Sequence, residues 1–266
     1  METTAHAVLV SIATLHRDMP PASAPDRIIL MGFLKRILRA PSSDSAGTSV
    51  PAGSFELLTD EELQTHMGIR QYGMFELTDA VRPSYDLQVV PRQGFRRDEY
   101  RDESTGKTIP VVMAATTRRR LMDQFLELLD PLGSVVDVVL ESSHQTTSGH
   151  QDLYREHIDM PVLKSMLLDF EELLLHDGCT GIAVVNPSRG QEVQLDEHKM
   201  LIAYGEPLAP FEKLLIAGDV YPDPTIRFVT EAEHVHSSSA KHFRQFAILK
   251  TRLGMDGHGG EDTATW

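Results

Sequence analysis

Between Phe55 and Met255, short apolar runs of strand length alternate with longer stretches whose apolar residues recur at helical spacing. A chain patterned in this way must build a sheet and cover it with helices. The runs of strand character are Tyr85 to Pro91, Thr108 to Thr116, Val135 to Leu140, Gly181 to Asn186, Gln191 to Tyr204 and Thr225 to Thr230. Helices are predicted between them. Thr59 and Glu62 form a capping box ahead of a short helix ending near Gly68. Arg118 to Leu132 carries Leu121, Phe125, Leu128 and Leu129 on one face. Asp159 and Pro161 open a helix over Val162 to His176 that stops at Gly178. Two more span Pro207 to Gly218 and Ala240 to Leu253, the last capped from Ser237 to Ser239.

Runs such as VVDVVL and GIAVVN, apolar on both sides, suit strands covered on both faces. The expected fold is therefore an α/β domain of three layers with a mixed, mostly parallel sheet. Residues 108–140 read as a right-handed crossover between parallel strands. The succession of 181–186 and 192–204 adds at least one antiparallel pair.

Composition divides the chain into three parts. Residues 1–54 read as a flexible leader, in which 31–39 (MGFLKRILR) form a short basic amphipathic segment and 40–54 a Pro/Ser/Gly linker. Residues 55–254 form a single α/β domain, and 255–266 an acidic, disordered tail ending in Trp266. Met31 also has the look of an alternative translation start. With Leu34, Ile37 and Leu38 on one side and Lys35, Arg36 and Arg39 on the other, Met31 to Arg39 suits weak contact with an anionic membrane surface.

Charge and cysteine content exclude several classes. The chain has 39 acidic against 25 basic residues, a net charge of −14, and the excess lies on the domain rather than the leader. Such a surface does not neutralise phosphates, so no nucleic acid is expected as a partner. A single cysteine, Cys179, rules out an internal disulfide and a zinc site built from paired cysteines. Residues 103–108 (ESTGKT) end like a phosphate-binding loop, but Arg101 occupies the position of the first glycine and a strand follows instead of a helix. Arg118, Arg119 and Arg120 open a helix against its dipole and are expected to pair with surface carboxylates.

Three functional readings follow. The first is a cytoplasmic, non-catalytic protein-interaction module held near a membrane by residues 31–39, with no cofactor. The second is a small-molecule enzyme with Glu141, His144, Asn186 and Arg189 gathered at strand ends, where open α/β sheets bind ligands. The third is a metal-binding protein. His234 and His236 share a strand face, His242 follows six residues on, and Glu231 and Glu233 add oxygen donors. No catalytic residue, cofactor contact or metal ligand is assigned outright.

Overall fold

In the computed structural model, residues 53–55, 58–101, 106–144 and 150–256 are described. The segment 31–39, the linker up to residue 52, residues 103–105 and the tail beyond 256, Trp266 included, lie outside the described residues.

The elements in chain order begin with α1 (Asp60–Gly68), β1 (Gln71–Tyr72), β2 (Phe75–Glu76) and β3 (Val81–Pro83). A hairpin of β4 (Gly94–Arg101) and β5 (Thr108–Ala115) follows, then α2 (Arg118–Leu128). A second hairpin, β6 (Val135–Ser142) with β7 (Gln151–Asp159), leads into α3 (Met160–Asp169) and α4 (Glu171–His176). The remainder is β8 (Thr180–Asn186), β9 (Gln191–Leu195), β10 (Leu201–Tyr204), α5 (Ala209–Ala217), β11 (His234–His236) and α6 (Ala240–Arg252). At the start of α1 the capping box is complete. Thr59 Oγ1 accepts from the Glu62 amide, and Glu62 Oε2 accepts from the Thr59 amide at 2.9 Å.

Seven strands form the main sheet in the order β4-β5-β10-β9-β8-β6-β7, and every pairing in it is antiparallel. The expected mostly parallel sheet is thereby corrected. β5 and β6 do run in the same direction, but β10, β9 and β8 stand between them, so 108–140 is not a crossover of neighbours. The physical reason lies at the two edges. β4 (GFRRDEYR) and β7 (QDLYREHID) are edge strands rich in charge, as unpaired sheet edges commonly are. Apolar patterning does not detect such strands. Each is nevertheless the hairpin partner of a strand that it does detect, which makes the topology antiparallel. The apolar runs in β8, β9 and β10 are buried throughout because these strands are central.

The three-layer expectation is corrected as well. Helices α2 to α6 all contribute to one core on one face of the sheet, through residues such as Phe125, Leu163, Leu173, Phe211 and Leu249. Each such fully buried side chain contributes about 1.5–3 kcal/mol by leaving water. On the other face Tyr100, Val111, Met113, Ile202 and Tyr204 pack against Ile226 and Phe228. Those two residues belong to an irregular segment that ends in a 3-10 turn at Val229–Glu231, not to the expected strand 225–230. Likewise 85–91 is a turn-rich segment, with Leu87 at φ 51°, and not a strand. The helix expected over 162–176 is two helices that meet at Phe170.

A two-stranded sheet of β11 with β3 stands apart, pairing His234 with Pro83 and His236 with Val81. Arg82 anchors it. Its guanidinium is buried and donates to the carbonyls of Met67, Thr78 and Val81 and to Asp79. At the start of α2, Arg118 and Arg119 pair with Glu76, and Arg120 with Asp123 and Glu127. No helix among the described residues is long and apolar enough to cross a membrane.

One buried acid makes the fold pH-sensitive. Glu192 on β9 is fully enclosed, and its Oε1 has no hydrogen-bond partner among the described residues. Burial, with a second contribution from Glu141, pushes its carboxyl up to about 8. The native state therefore holds a proton that the unfolded chain releases near pH 4.5, and stability falls as pH rises from there to about 8. Glu192→Gln removes that loss. Thermal denaturation should show little difference from the parent near pH 4.5, and a gain growing to the order of a few kcal/mol by pH 8. A difference that does not vary with pH would contradict the assignment.

Candidate metal centre

Three histidines, one from the β9–β10 hairpin and two from the long-range β11–β3 pairing, converge. His198 stands at the tip of the β9–β10 hairpin, and His234 and His236 occupy the same face of β11. Their ring centroids are 4.9 Å (198–234), 4.7 Å (198–236) and 5.1 Å (234–236) apart. One ligand nitrogen from each lies within 4.8 Å of the other two.

The hairpin tip is shaped by Asp196. The Lys199 amide donates to the Asp196 carbonyl at 3.0 Å, and Lys199 takes a left-handed conformation with φ 66°. This is a three-residue hairpin loop, in which a type I turn is closed by a left-handed residue. Asp196 Oδ1 accepts from the amides of His198 (3.0 Å) and Met200 (2.8 Å). Its other oxygen, Oδ2, lies 2.8 Å from His198 Nδ1. One carboxylate thus both folds the turn and orients the imidazole it presents.

The other two rings are held from the backbone. His234 Nδ1 donates to the Ala232 carbonyl at 2.8 Å, and His236 Nδ1 donates to the Gly178 carbonyl at 2.6 Å. A carbonyl only accepts, so both rings carry their proton on Nδ1 and leave the Nε2 lone pair available. With Asp196 accepting from His198 Nδ1, all three histidines have the same tautomer. Metal-ligating histidines show this arrangement, with the second ring nitrogen fixed by a carboxylate or carbonyl.

Charge states agree with that assignment for His234 and His236, whereas His198 is biased toward its protonated form and must release a proton to bind a metal. Burial, reinforced by repulsion from His198, pushes His236 down to about 4 and His234 below the usual imidazole range. For His198, burial opposes the charged form, but Asp196 and Glu197 together outweigh it and raise the value. Lys199 is buried next to the cluster and donates to the Thr180 carbonyl at 2.8 Å. Burial lowers its value, opposed by Asp177, Asp196 and Glu197. A small cavity lined by Phe75, Leu77, Met200 and Phe228 reaches His198 and Lys199.

Gly178 makes the His236 contact possible. A Cβ at this position would lie 2.2 Å from the Ala80 carbonyl oxygen and 2.9 Å from that of Ser237, so only glycine lets the backbones approach this closely. The Gly178 amide donates to Ser237 at 2.7 Å, and the Ser237 amide donates to Ala80 at 2.8 Å. This stitches the start of β8 to β3 and β11.

The sequence-derived candidates separate. His242 lies on α6, with Nδ1 3.9 Å from Asp177 Oδ1, and it is His198 that meets His234 and His236. Glu231 pairs with Arg96, and Glu233 accepts from the Ser54 amide. Glu141 and His144 sit at one end of β6, where Glu141 faces Gly181, while Asn186 ends β8 at the other. Asn186 is five residue steps along the strand from Gly181, roughly 16 Å, so the four proposed enzyme residues do not share a site. Asn186 Nδ2 donates to the Leu132 carbonyl at 2.6 Å and Arg189 to that of Pro131, which makes them supports for the turn before β6. His198 was not singled out from the sequence. Its available signal is the Asp-Glu-His-Lys run between two apolar strands.

Fold and site together define an antiparallel α/β protein with a three-histidine cluster. Comparison with protein families, curated proteins and solved structures finds no match for this chain.

Two substitutions separate geometry from folding. In Asp196→Asn, the amide oxygen still accepts from His198 N and Met200 N, but an NH2 group now faces His198 Nδ1–H. Zinc affinity measured by calorimetry should fall about 10–100-fold while metal-free thermal stability stays near that of the parent. Gly178→Ala should cost about 1–3 kcal/mol in denaturant unfolding through the forced separation from Ala80. A neutral result there would refute the close-approach argument.

Proposed function

We infer that this protein binds a divalent transition metal through His198, His234 and His236. What supports a metal over a merely stacked aromatic cluster is the shared tautomer. Each ring commits Nδ1 to an oxygen acceptor, and each keeps an Nε2 lone pair for a ligand bond. Imidazole donors suit zinc, copper, iron and nickel, and three imidazole ligands favour zinc among the abundant ions of tetrahedral habit. Three protein ligands leave a fourth position for water or a small ligand, the arrangement of zinc sites that act as Lewis acids or generate bound hydroxide. The cavity beside His198 gives such a ligand a route of approach.

The test is metal content of the untagged full chain after equilibration with zinc and desalting. His236→Ala should carry one equivalent less zinc than the parent, with its fold verified by circular dichroism. Equal zinc content in the two proteins rejects the reading.

A further inference from the structure

Asp177 and Cys179, the chain neighbours of Gly178, belong to a second group of donors. His144 follows β6, Asp177 follows α4 and Cys179 precedes β8. One ligand atom from each lies within 4.8 Å of the other two. His144 Nε2 is 2.8 Å from Asp177 Oδ2, and Asp177 is wholly enclosed. His242, from the first turn of α6, stands beside the other oxygen of the same carboxylate. Its Nδ1 is buried, has no hydrogen-bond partner among the described residues, and stops 3.9 Å from Asp177 Oδ1. That distance is too long for a hydrogen bond.

We propose that His144, Asp177 and Cys179, with His242 as fourth ligand, form a second metal site of mixed nitrogen, oxygen and sulfur donors that takes zinc or another thiophilic divalent ion. The spacing suits it. Two ligands bound at 2.0–2.1 Å on a tetrahedral zinc stand about 3.3 Å apart, so the His144–Asp177 contact needs to open by roughly 0.5 Å. The metal replaces the proton on His144 Nε2, which moves to Nδ1 of the same ring. The Cys179 thiol loses its proton to solvent, one proton released per metal bound. Without metal, burial raises the thiol, with Asp177 adding to it, and this cysteine is a poor nucleophile. The phenyl rings of Phe243, half exposed, and Phe246, buried, have their centroids 5.4 and 5.5 Å from that of His144. A thiolate donor discriminates against magnesium, calcium and manganese.

The two metal sites are separable because Cys179 is the chain's single cysteine. Metal-free, reduced full-length protein is titrated anaerobically with cobalt(II) alone and followed by absorption. A thiolate-to-cobalt charge-transfer band in the near ultraviolet can arise only at Cys179, whereas the three-histidine centre contributes only ligand-field bands. The expected result is a charge-transfer band that is complete by two bound equivalents in the parent and by one in His236→Ala, disappears in Cys179→Ser and weakens about tenfold or more in affinity in His242→Ala. Ligand-field bands without any charge-transfer band would overturn the second site and leave the first intact. A charge-transfer band that persists at full affinity in His144→Ala would overturn the ligand set.

Discussion

The buried carboxylate of Asp177 is the interaction on which the rest of the structure depends. It is wholly enclosed where helix layer, sheet and small sheet meet, at the turn from α4 into β8. An unpaired charge there would cost several kcal/mol. It is instead surrounded by donors. Thr180 Oγ1 donates at 2.5 Å, His144 Nε2 stands at 2.8 Å, the Cys179 amide donates at 3.4 Å, and Ser238 adds a side-chain hydrogen bond. Burial opposes ionisation, but His144 and the hydroxyl donors outweigh it and hold the carboxyl at about 2. Those partners come from the end of β6, the start of β8 and the approach to α6, so one charge fixes the relative positions of three elements. Gly178, next in the chain, carries that fixed geometry to Ala80, Ser237 and His236.

The antiparallel sheet explains why donors accumulate at this end of the molecule. With β6, β8 and β9 alternating in direction, the end of β6, the beginning of β8 and the β9–β10 hairpin tip all lie at one end of the central strands. That end is therefore made of turns, which supply the carbonyl of Gly178 and the carboxylate of Asp196, while the Ala232 carbonyl comes from the segment leading into β11. Turns offer backbone groups not consumed by the ladder, and a site that must orient imidazoles needs such groups. The opposite end of these strands is also built of turns, but Asn186 and Arg189 spend their polar groups on the carbonyls of Leu132 and Pro131.

Much of the local structure was legible in the sequence. The Thr59–Glu62 box, the helix over Arg118 and its apolar face, and the strands at 108–116, 135–140 and 181–186 all match elements within a few residues. The failures share a cause. β4 and β7 carry charge because they are edges, and 85–91 and 225–230 carry apolar residues because they cover the sheet without joining it. Hydrophobic patterning reports burial, and burial coincides with strand only in the interior of a sheet. Losing the two edge strands removed both hairpins, and with them the antiparallel topology.

The histidines divide along the same line. That His234 and His236 point the same way follows from the two-residue period of a strand, a property of the local backbone that needs no knowledge of the fold. Which third histidine joins them does not follow. His242 is nearer in sequence, yet the start of α6 turns it toward Asp177, while the β9–β10 hairpin brings His198 across from 36 residues away. Short-range hydrogen bonding and side-chain period are written in neighbouring residues. Convergence of distant residues is set by strand order and register, which exist only after the edges of the sheet have been paired.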